Sequence, residues 1–201
     1  MSKSKNQIAV IGQGFVGIPM SILIADKINC LVHGIDKNNF RGKKLKEILD
    51  NNLLPFKSND VELIRKFKKV KKKKNYQISL NLEPIKNCNT IIVSISFDFK
   101  SKNSLENLKK IFFKIIKKIK KKTLIILETT LPPGTCDKII VPEIEKNLKK
   151  RKMRLNDIYF AYSYERVTPG ENYYNSISNY YRVYAGVNNI SSQKCKIFLN
   201  K

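Results

Sequence analysis

The chain has 201 residues, enough for one α/β domain that buries a full core without disulfide or metal staples. Hydrophobic residues make up 42% and charged residues 28%, which excludes collagen, mucin-like stalks and wholesale disorder. The formal net charge is +24, and six of the 40 basic residues are Arg (Arg41, Arg65, Arg151, Arg154, Arg166 and Arg182).

Ile8-Ala9-Val10-Ile11 is a continuous apolar run ending at glycine, the pattern of a buried parallel strand. Phe15 to about Lys27 reads as a helix, and Leu31-Val32-His33-Gly34-Ile35 as a second strand ending at Asp36. Lys43 to Asn51 and Val61 to Lys69 read as helical pieces, and Lys71 to Lys74 as a solvated loop. Ile78-Ser79-Leu80 is a short third strand and Thr90 to Ile95 a fourth. Leu105, Leu108, Ile111, Phe112, Ile115 and Ile119 recur at spacings of three and four, so a helix is expected there with Ser104 capping its start. A strand at Leu124–Leu127, a turn at Pro132-Pro133-Gly134, a helix from Thr135 to about Lys150 and a strand at Ile158–Ala161 follow. The alternation predicts a single α/β domain: a Rossmann-type, doubly wound, mainly parallel sheet covered on both faces.

No stretch approaches the roughly 18 apolar residues of a membrane span. The N-terminus leads directly into a strand pattern without a secretory apolar region, so a cytoplasmic protein with no membrane partner is expected. Lys is spread along the whole chain beside abundant Asn and Ile, three residues with A/T-rich codons. That is the pattern of an A/T-rich gene filling solvated faces. Nucleic-acid binders cluster their bases and mix in Arg, so nucleic acid is the third-ranked reading, although the charge favours anionic ligands. Cys30, Cys88, Cys136 and Cys195 are widely spaced and His33 is the sole histidine, so neither zinc nor any other metal site is expected and the thiols are read as reduced.

The sharpest motif is Gly12-Gln13-Gly14-Phe15-Val16-Gly17, between a predicted strand and a predicted helix. The first glycine permits a tight turn, the second lets backbone amides approach a pyrophosphate, and the third lets helix and strand pack closely. The helix start offers unpaired N–H groups and partial positive charge. Asp36, 19 residues beyond Gly17, stands where an acid accepts hydrogen bonds from adenosine ribose hydroxyls. An acid there repels a 2′-phosphate, so NAD is expected over NADP, with Lys37 and Arg41 the nearby bases.

Two further stretches lie at strand carboxyl ends, where open α/β sheets bind ligands. They are Glu128-Thr129-Thr130-Leu131-Pro132-Pro133-Gly134-Thr135 and Tyr164-Glu165-Arg166-Val167-Thr168-Pro169-Gly170. Taken singly, they also read as a proline turn opening a helix and a surface loop with a solvated Glu-Arg pair. In order behind the glycine loop, and followed by Arg182-Val183-Tyr184-Ala185-Gly186, they resemble the UDP-glucose/GDP-mannose dehydrogenase family. The nearest branch is that of the UDP-N-acetylmannosamine and UDP-N-acetylglucosamine 6-dehydrogenases.

The resemblance implies NAD-dependent oxidation of the C6 hydroxyl of a nucleotide sugar to a uronate, for polysaccharide biosynthesis. It implies that Thr130 orients water or substrate and contacts cofactor, that Glu165 assists proton transfer during hydrolysis of a covalent intermediate, and that Arg166 meets substrate. Tyr164 departs from the family's proline, and Ser96-Phe97-Asp98-Phe99 replaces a threonine-proline step, leaving Ser94 or Ser96 as the hydroxyl near the nicotinamide. Family members are about twice as long. Residues 1–186 are therefore expected to form the NAD-binding domain and residues 187–201 to begin an interrupted central helix. The domain carrying the nucleophilic cysteine and the UDP-sugar site would be absent, a separately encoded C-terminal half being one reading, and the complete enzyme would be a homo-oligomer. The alternatives are a non-catalytic NAD-binding remnant or partner subunit, and a basic nucleic-acid-binding protein.

Overall fold

The computed structural model describes residues 6–28, 30–166 and 170–201. Strand β1 (Asn6–Ile11) pairs in parallel with β2 (Cys30–Ile35) on one side and β4 (Thr90–Val93) on the other. Strand β3 (Tyr76–Ser79) extends the sheet beyond β2, and β5 (Leu124–Leu127) and β6 (Tyr159–Tyr162) extend it beyond β4. A short antiparallel strand β7 (Ala185–Gly186) closes the edge, with Tyr162 opposite Ala185, giving the order β3-β2-β1-β4-β5-β6-β7. Chain direction reverses sides between β1 and β4, which opens a crevice at their carboxyl ends.

The central strands are apolar on both faces because both faces are covered. Every residue of β4 and β5 is buried. On one face, Ile8, Val10, Val32, Ile92 and Ile126 pack against α1 (Gly17–Lys27), α3 (Val61–Lys72), α6 (Tyr173–Asn179) and α7 (Asn189–Leu199). On the other, Ala9, Ile91, Val93, Ile125 and Phe160 meet α4 (Lys102–Ile116) and α5 (Val141–Lys149), where the Phe112 and Phe160 rings meet edge-on at 5.7 Å. Helix α2 (Phe40–Asp50) lies beside β3.

Local chemistry sets the boundaries. Asn39, Asp60 and Asn188 accept hydrogen bonds of 2.9 Å from Gly42, Leu63 and Ser191 N–H groups, capping α2, α3 and α7. Ser104 does not cap α4, which begins two residues earlier; its hydroxyl accepts from the Asp98 N–H at 3.1 Å. The basic run expected as a loop is half helical: Lys71 and Lys72 end α3, Lys73 caps it, and Lys74 enters the left-handed region at φ 53°. A wide π turn over Cys136–Ile140 leads into α5, whose second residue, Pro142, has no N–H to continue the α ladder. Helix α6 and strand β7 were not anticipated. Where the start of a central helix was expected, α7 lies against β6 and β7 with Cys195 fully buried.

Candidate functional site

The turn after β1 is built around three glycines. Gly12 has φ 95°, and a Cβ there would stand 2.2 Å from the Ser94 carbonyl oxygen. A Cβ on Gly17 would stand 1.7 Å from the Gly12 carbonyl oxygen, so α1 rests directly on the turn. Gly14 is different: nothing lies within 4 Å of its Cβ position, so that side of the loop faces open space. Among the described residues, no hydrogen bond uses the N–H of Gly14, Phe15 or Val16. The loop thus presents backbone donors at the start of α1 with nothing between them and an incoming anion.

Gln13 does not face that space. Its side chain is 1% exposed and turned beneath the loop, where its Nε2 donates to the Val10 carbonyl at 2.9 Å and its Oε1 accepts from the Tyr76 hydroxyl at 2.6 Å. Gln13 was expected among the cofactor-binding residues; its side chain supports the loop from below. Gly34, within β2, makes room for it, since a Cβ there would lie 2.6 Å from Gln13 Oε1. Ser21 completes the buried network, its hydroxyl accepting from Gln13 Nε2 at 3.2 Å and donating to the Gly17 carbonyl at 2.7 Å. Phe15, at the crest of the loop, is 62% exposed, with its ring 5.4 Å from Phe56; Val16 is half-buried.

Asp36 follows β2 at the same edge. Its carboxylate accepts from the Gln13 N–H at 2.9 Å and from the Lys37 N–H at 2.6 Å, which fixes it against the glycine loop with acceptor capacity to spare. Arg41 lies exposed in the first turn of α2. Ser94, one residue past β4, is half-buried; its N–H donates to the Ile11 carbonyl at 2.8 Å and its carbonyl abuts Gly12.

At the carboxyl ends of β5 and β6 the predicted residues separate. Thr130 is exposed and borders a pocket of about 460 Å³ with Pro132, Cys136, Tyr162, Tyr164 and Val187. Glu165 does not border that pocket. It lies beside Glu128, whose carbonyl accepts its N–H at 3.3 Å, and beside Arg182, whose Nη1 stands 3.7 Å from Glu165 Oε1. Arg182 Nη2 donates to Glu128 Oε1 at 2.7 Å. Thr129 is buried, its hydroxyl donating to the Ile95 carbonyl at 2.9 Å, which ties the ends of β4 and β5 together. Arg166 is exposed. Val167, Thr168 and Pro169 of the same motif lie outside the described residues.

Burial pushes the Glu128 carboxyl up to about 7; the Arg182 guanidinium opposes the rise and the charge on Glu165 adds to it. Glu128 and Arg182 stand in stretches that the sequence marks, but nothing in the linear order pairs residues 54 positions apart. Burial likewise pushes the Cys88 and Cys195 thiols up to about 12 and Cys136 to about 11. Among the described residues there is no cluster of metal-ligating side chains, and no helix is long and apolar enough to cross a membrane.

The comparisons with known proteins agree with this geometry. Residues 6–198 match the UDP-glucose/GDP-mannose dehydrogenase family, NAD binding domain. The chain is 30% identical over 168 residues to the UDP-N-acetyl-D-glucosamine 6-dehydrogenase of Pseudomonas aeruginosa, covering 82% of this chain and 36% of that protein. It is 31% identical over 195 residues to a UDP-N-acetyl-D-mannosamine dehydrogenase of Methanocaldococcus jannaschii, covering 94% of this chain and 41% of that protein. Among solved structures, an NDP-N-acetyl-D-galactosaminuronic acid dehydrogenase from Methanosarcina mazei Go1 shares the fold with a TM-score of 0.85 at 24% identity, over 98% of this chain and 42% of the other. The UDP-N-acetyl-mannosamine dehydrogenase Cap5O of Staphylococcus aureus does so with a TM-score of 0.81 at 21% identity, over 97% and 45%.

Proposed function

The chain belongs to the UDP-glucose/GDP-mannose dehydrogenase family as its NAD-binding domain, and from that premise we propose that it is the cofactor-binding half of a nucleotide-sugar 6-dehydrogenase. The reaction would oxidise the C6 hydroxyl of a UDP-N-acetylhexosamine or UDP-glucose type of sugar to a uronate, in the cytoplasm, for polysaccharide biosynthesis. The observation that carries the reading is the open face of Gly14 beside three uncommitted amides, with Asp36 anchored at its side.

The residues fit NAD, which when bound accepts hydride from the substrate carbon. The Gly14, Phe15 and Val16 amides would hold the pyrophosphate. The free lone pairs of Asp36 would accept from the ribose hydroxyls and disfavour a 2′-phosphate. Gly12 and Gly17 shape the loop, and Gln13 braces it from below. Arg41 stands at the adenosine end and Ser94 at the edge reached by the nicotinamide. Thr130 would orient water or substrate from the pocket side. Glu165 would act as general base, and Arg166 would meet an anionic part of the substrate.

The chain spans 36% and 41% of the length of the two relatives above. A complementary C-terminal half, which could be separately encoded, and homo-oligomerisation of the completed enzyme belong to the same proposal. A second reading, an NAD-binding subunit without turnover of its own, is favoured by the cysteines. Acyl transfer needs a thiolate, and burial raises the Cys88, Cys136 and Cys195 thiols.

Calorimetry tests the cofactor assignment: NAD should bind and NADP more weakly, whereas equal or tighter NADP binding would overturn the role of Asp36. Reduced nicotinamide absorbance with UDP-sugars tests the second reading. The chain alone should form none, and robust turnover that depended on Cys195 would refute it.

A further inference from the structure

Strands β1 to β6 all run parallel, so the turns that lead from helix to strand open together on the edge opposite the glycine loop. Three of those turns concentrate charge. Residues 71–74 enter β3, 117–122 enter β5 and 149–154 approach β6, and between them they hold fourteen bases and no acid. Eleven of the fourteen are exposed. Asp26, Asp50, Glu83 and Asp157 lie beside these turns, and each is already held by a lysine: Lys66 and Lys69, Lys46, Lys118, and Lys121 in turn.

Two of the turns are locked together. The Arg151 guanidinium donates to the Ile116 and Ile119 carbonyls at 2.5 and 2.7 Å, and the Lys122 N–H donates to the Asp157 carbonyl at 2.6 Å. The Lys117 and Lys150 ammonium groups both lie over the Phe113 ring. Like charges are thus held side by side, at a cost in self-repulsion. A helix C-terminus favours a base in its last turn, but it does not call for this density. Nor does an A/T-rich gene account for the placement. Lys74, Lys122 and Lys152 all stand in the left-handed region, at φ 53°, 62° and 56°. Asparagine, with codons equally rich in A and T, suits that conformation better, and the chain uses it at Asn52, φ 59°. At the three turns of this edge it takes lysine instead.

We propose that this edge docks on an anionic phospholipid surface, with the glycine loop and the carboxyl ends of the strands facing away from it. From β3 to β6 the edge spans five strand spacings, roughly 24 Å at about 4.8 Å each. Twelve of the fourteen bases are Lys, point charges without the planar fork that reads phosphates and base edges, and Arg151 is spent inside the fold. Among the described residues, none of the exposed large apolar or aromatic side chains lies in the three turns, so nucleic-acid bases would find no stacking platform. A broad face of lysines suits the diffuse charge of a bilayer. The expectation of no membrane partner followed from the lack of a spanning or secretory apolar run, and a charged face needs neither.

Vesicle co-sedimentation of the full chain at physiological ionic strength tests the docking face. The wild type should bind vesicles of two parts phosphatidylcholine to one part phosphatidylglycerol, and not vesicles of phosphatidylcholine alone. Each lysine near an anionic bilayer strengthens binding about fivefold. Lys73→Gln, Lys120→Gln and Lys149→Gln combined, one exposed lysine from each turn, should therefore lower the affinity about 100-fold. Lys57→Gln, Lys100→Gln and Lys138→Gln combined remove the same charge from exposed positions on the side of the glycine loop, and should lower it less than about fivefold. Circular dichroism verifies that both variants are folded. Absence of binding to the anionic vesicles would overturn the proposal by denying the partner. Equal losses in the two folded variants would overturn it by spreading the attraction over the whole surface. A duplex oligonucleotide that binds through the three edge lysines where the vesicles do not would give the edge to nucleic acid, and the proposal would fall. The assay contains no NAD, so its outcome is separate from the cofactor assignment.

Discussion

Two glycines of the phosphate loop should respond in opposite ways to a side chain. In Gly17→Ala the new Cβ would sit 1.7 Å from the Gly12 carbonyl oxygen and 2.9 Å from its carbon, both backbone atoms that cannot rotate aside. Helix α1 would have to lift from the turn, an overpacking cost of about 3 kcal/mol at the upper end of the usual range. Better helix propensity returns no more than about 1 kcal/mol. A net loss of about 2 kcal/mol lowers Tm by roughly 4–8 °C in a domain of this size. In Gly14→Val the new Cβ has no neighbour within 4 Å, so stability should stay within about 0.5 kcal/mol of wild type. The valine would instead occupy the approach to the amides. Each amide–phosphate hydrogen bond lost costs about 1.5–3 kcal/mol, which weakens NAD roughly 10- to 150-fold. Thermal unfolding and calorimetry on the two variants separate the effects. Gly14→Val that melts as low as Gly17→Ala, or that binds NAD with wild-type affinity, would refute the assignment of that open face to the pyrophosphate.

Tyr76→Phe removes the 2.6 Å donor to Gln13 and should lower stability by about 1 kcal/mol, read from urea unfolding, and weaken NAD because the loop loses its brace. Burial pushes Asp26 up, but Lys66 and Lys69, each at 2.6 Å, and the Tyr174 hydroxyl more than offset it and hold its pKa at about 2, below an unperturbed 3.8. A lowered folded-state pKa gives stability that is fully present above the unfolded value and lost as pH falls through the folded one. About 2 kcal/mol should therefore disappear between pH 3.8 and 2 in the wild type, and Asp26→Asn should lack that acid limb. For Glu128 the sign is reversed: its folded pKa is raised from 4.5 to about 7, so wild-type stability should fall as pH climbs through that window. Glu128→Gln should be flat there, and pH-dependent melting curves decide it.

The parallel sheet was legible because burial on both faces leaves a simple mark. Runs such as Thr90-Ile91-Ile92-Val93 and Leu124-Ile125-Ile126-Leu127 have no polar face to confuse with a surface helix, and the strands fall on them. Helix ends were less legible because several residues can cap. Ser104 has the right chemistry, yet the chain spends its hydroxyl on Asp98 and starts α4 earlier. The lysine run from Lys71 shows the same limit, since charge alone does not distinguish a solvated loop from the last turn of a helix. Strand β7 has two residues, Ala185 and Gly186, and is antiparallel; it exists because β6 offers an open edge, which is a property of the assembled sheet.

The glycine loop was legible because its chemistry is local: strand, turn and helix start are consecutive. Even so, the glycine spacing could not say which way Gln13 turns. The answer lies in Gly34 and Tyr76, on two other strands, which leave a slot of the right size and a hydroxyl to close it. The carboxylate cluster is the more instructive case. Glu165 and Thr130 follow adjacent strands on one sheet edge, and sequence logic therefore placed them together. But residues on a strand alternate between faces, and that alternation continues past β6: Tyr162 and Tyr164 border the pocket with Thr130, while Ser163 is buried and Glu165 meets Glu128 and Arg182. The two residues therefore stand on different walls. Arg182, which reaches both Glu128 and Glu165, is delivered by a segment that the sequence marked only through its resemblance to the family's stretch before Gly186. Charge that is paired by topology leaves no periodicity behind it, which is why Glu128 read as the first residue of a motif behind a strand and not as half of a buried pair.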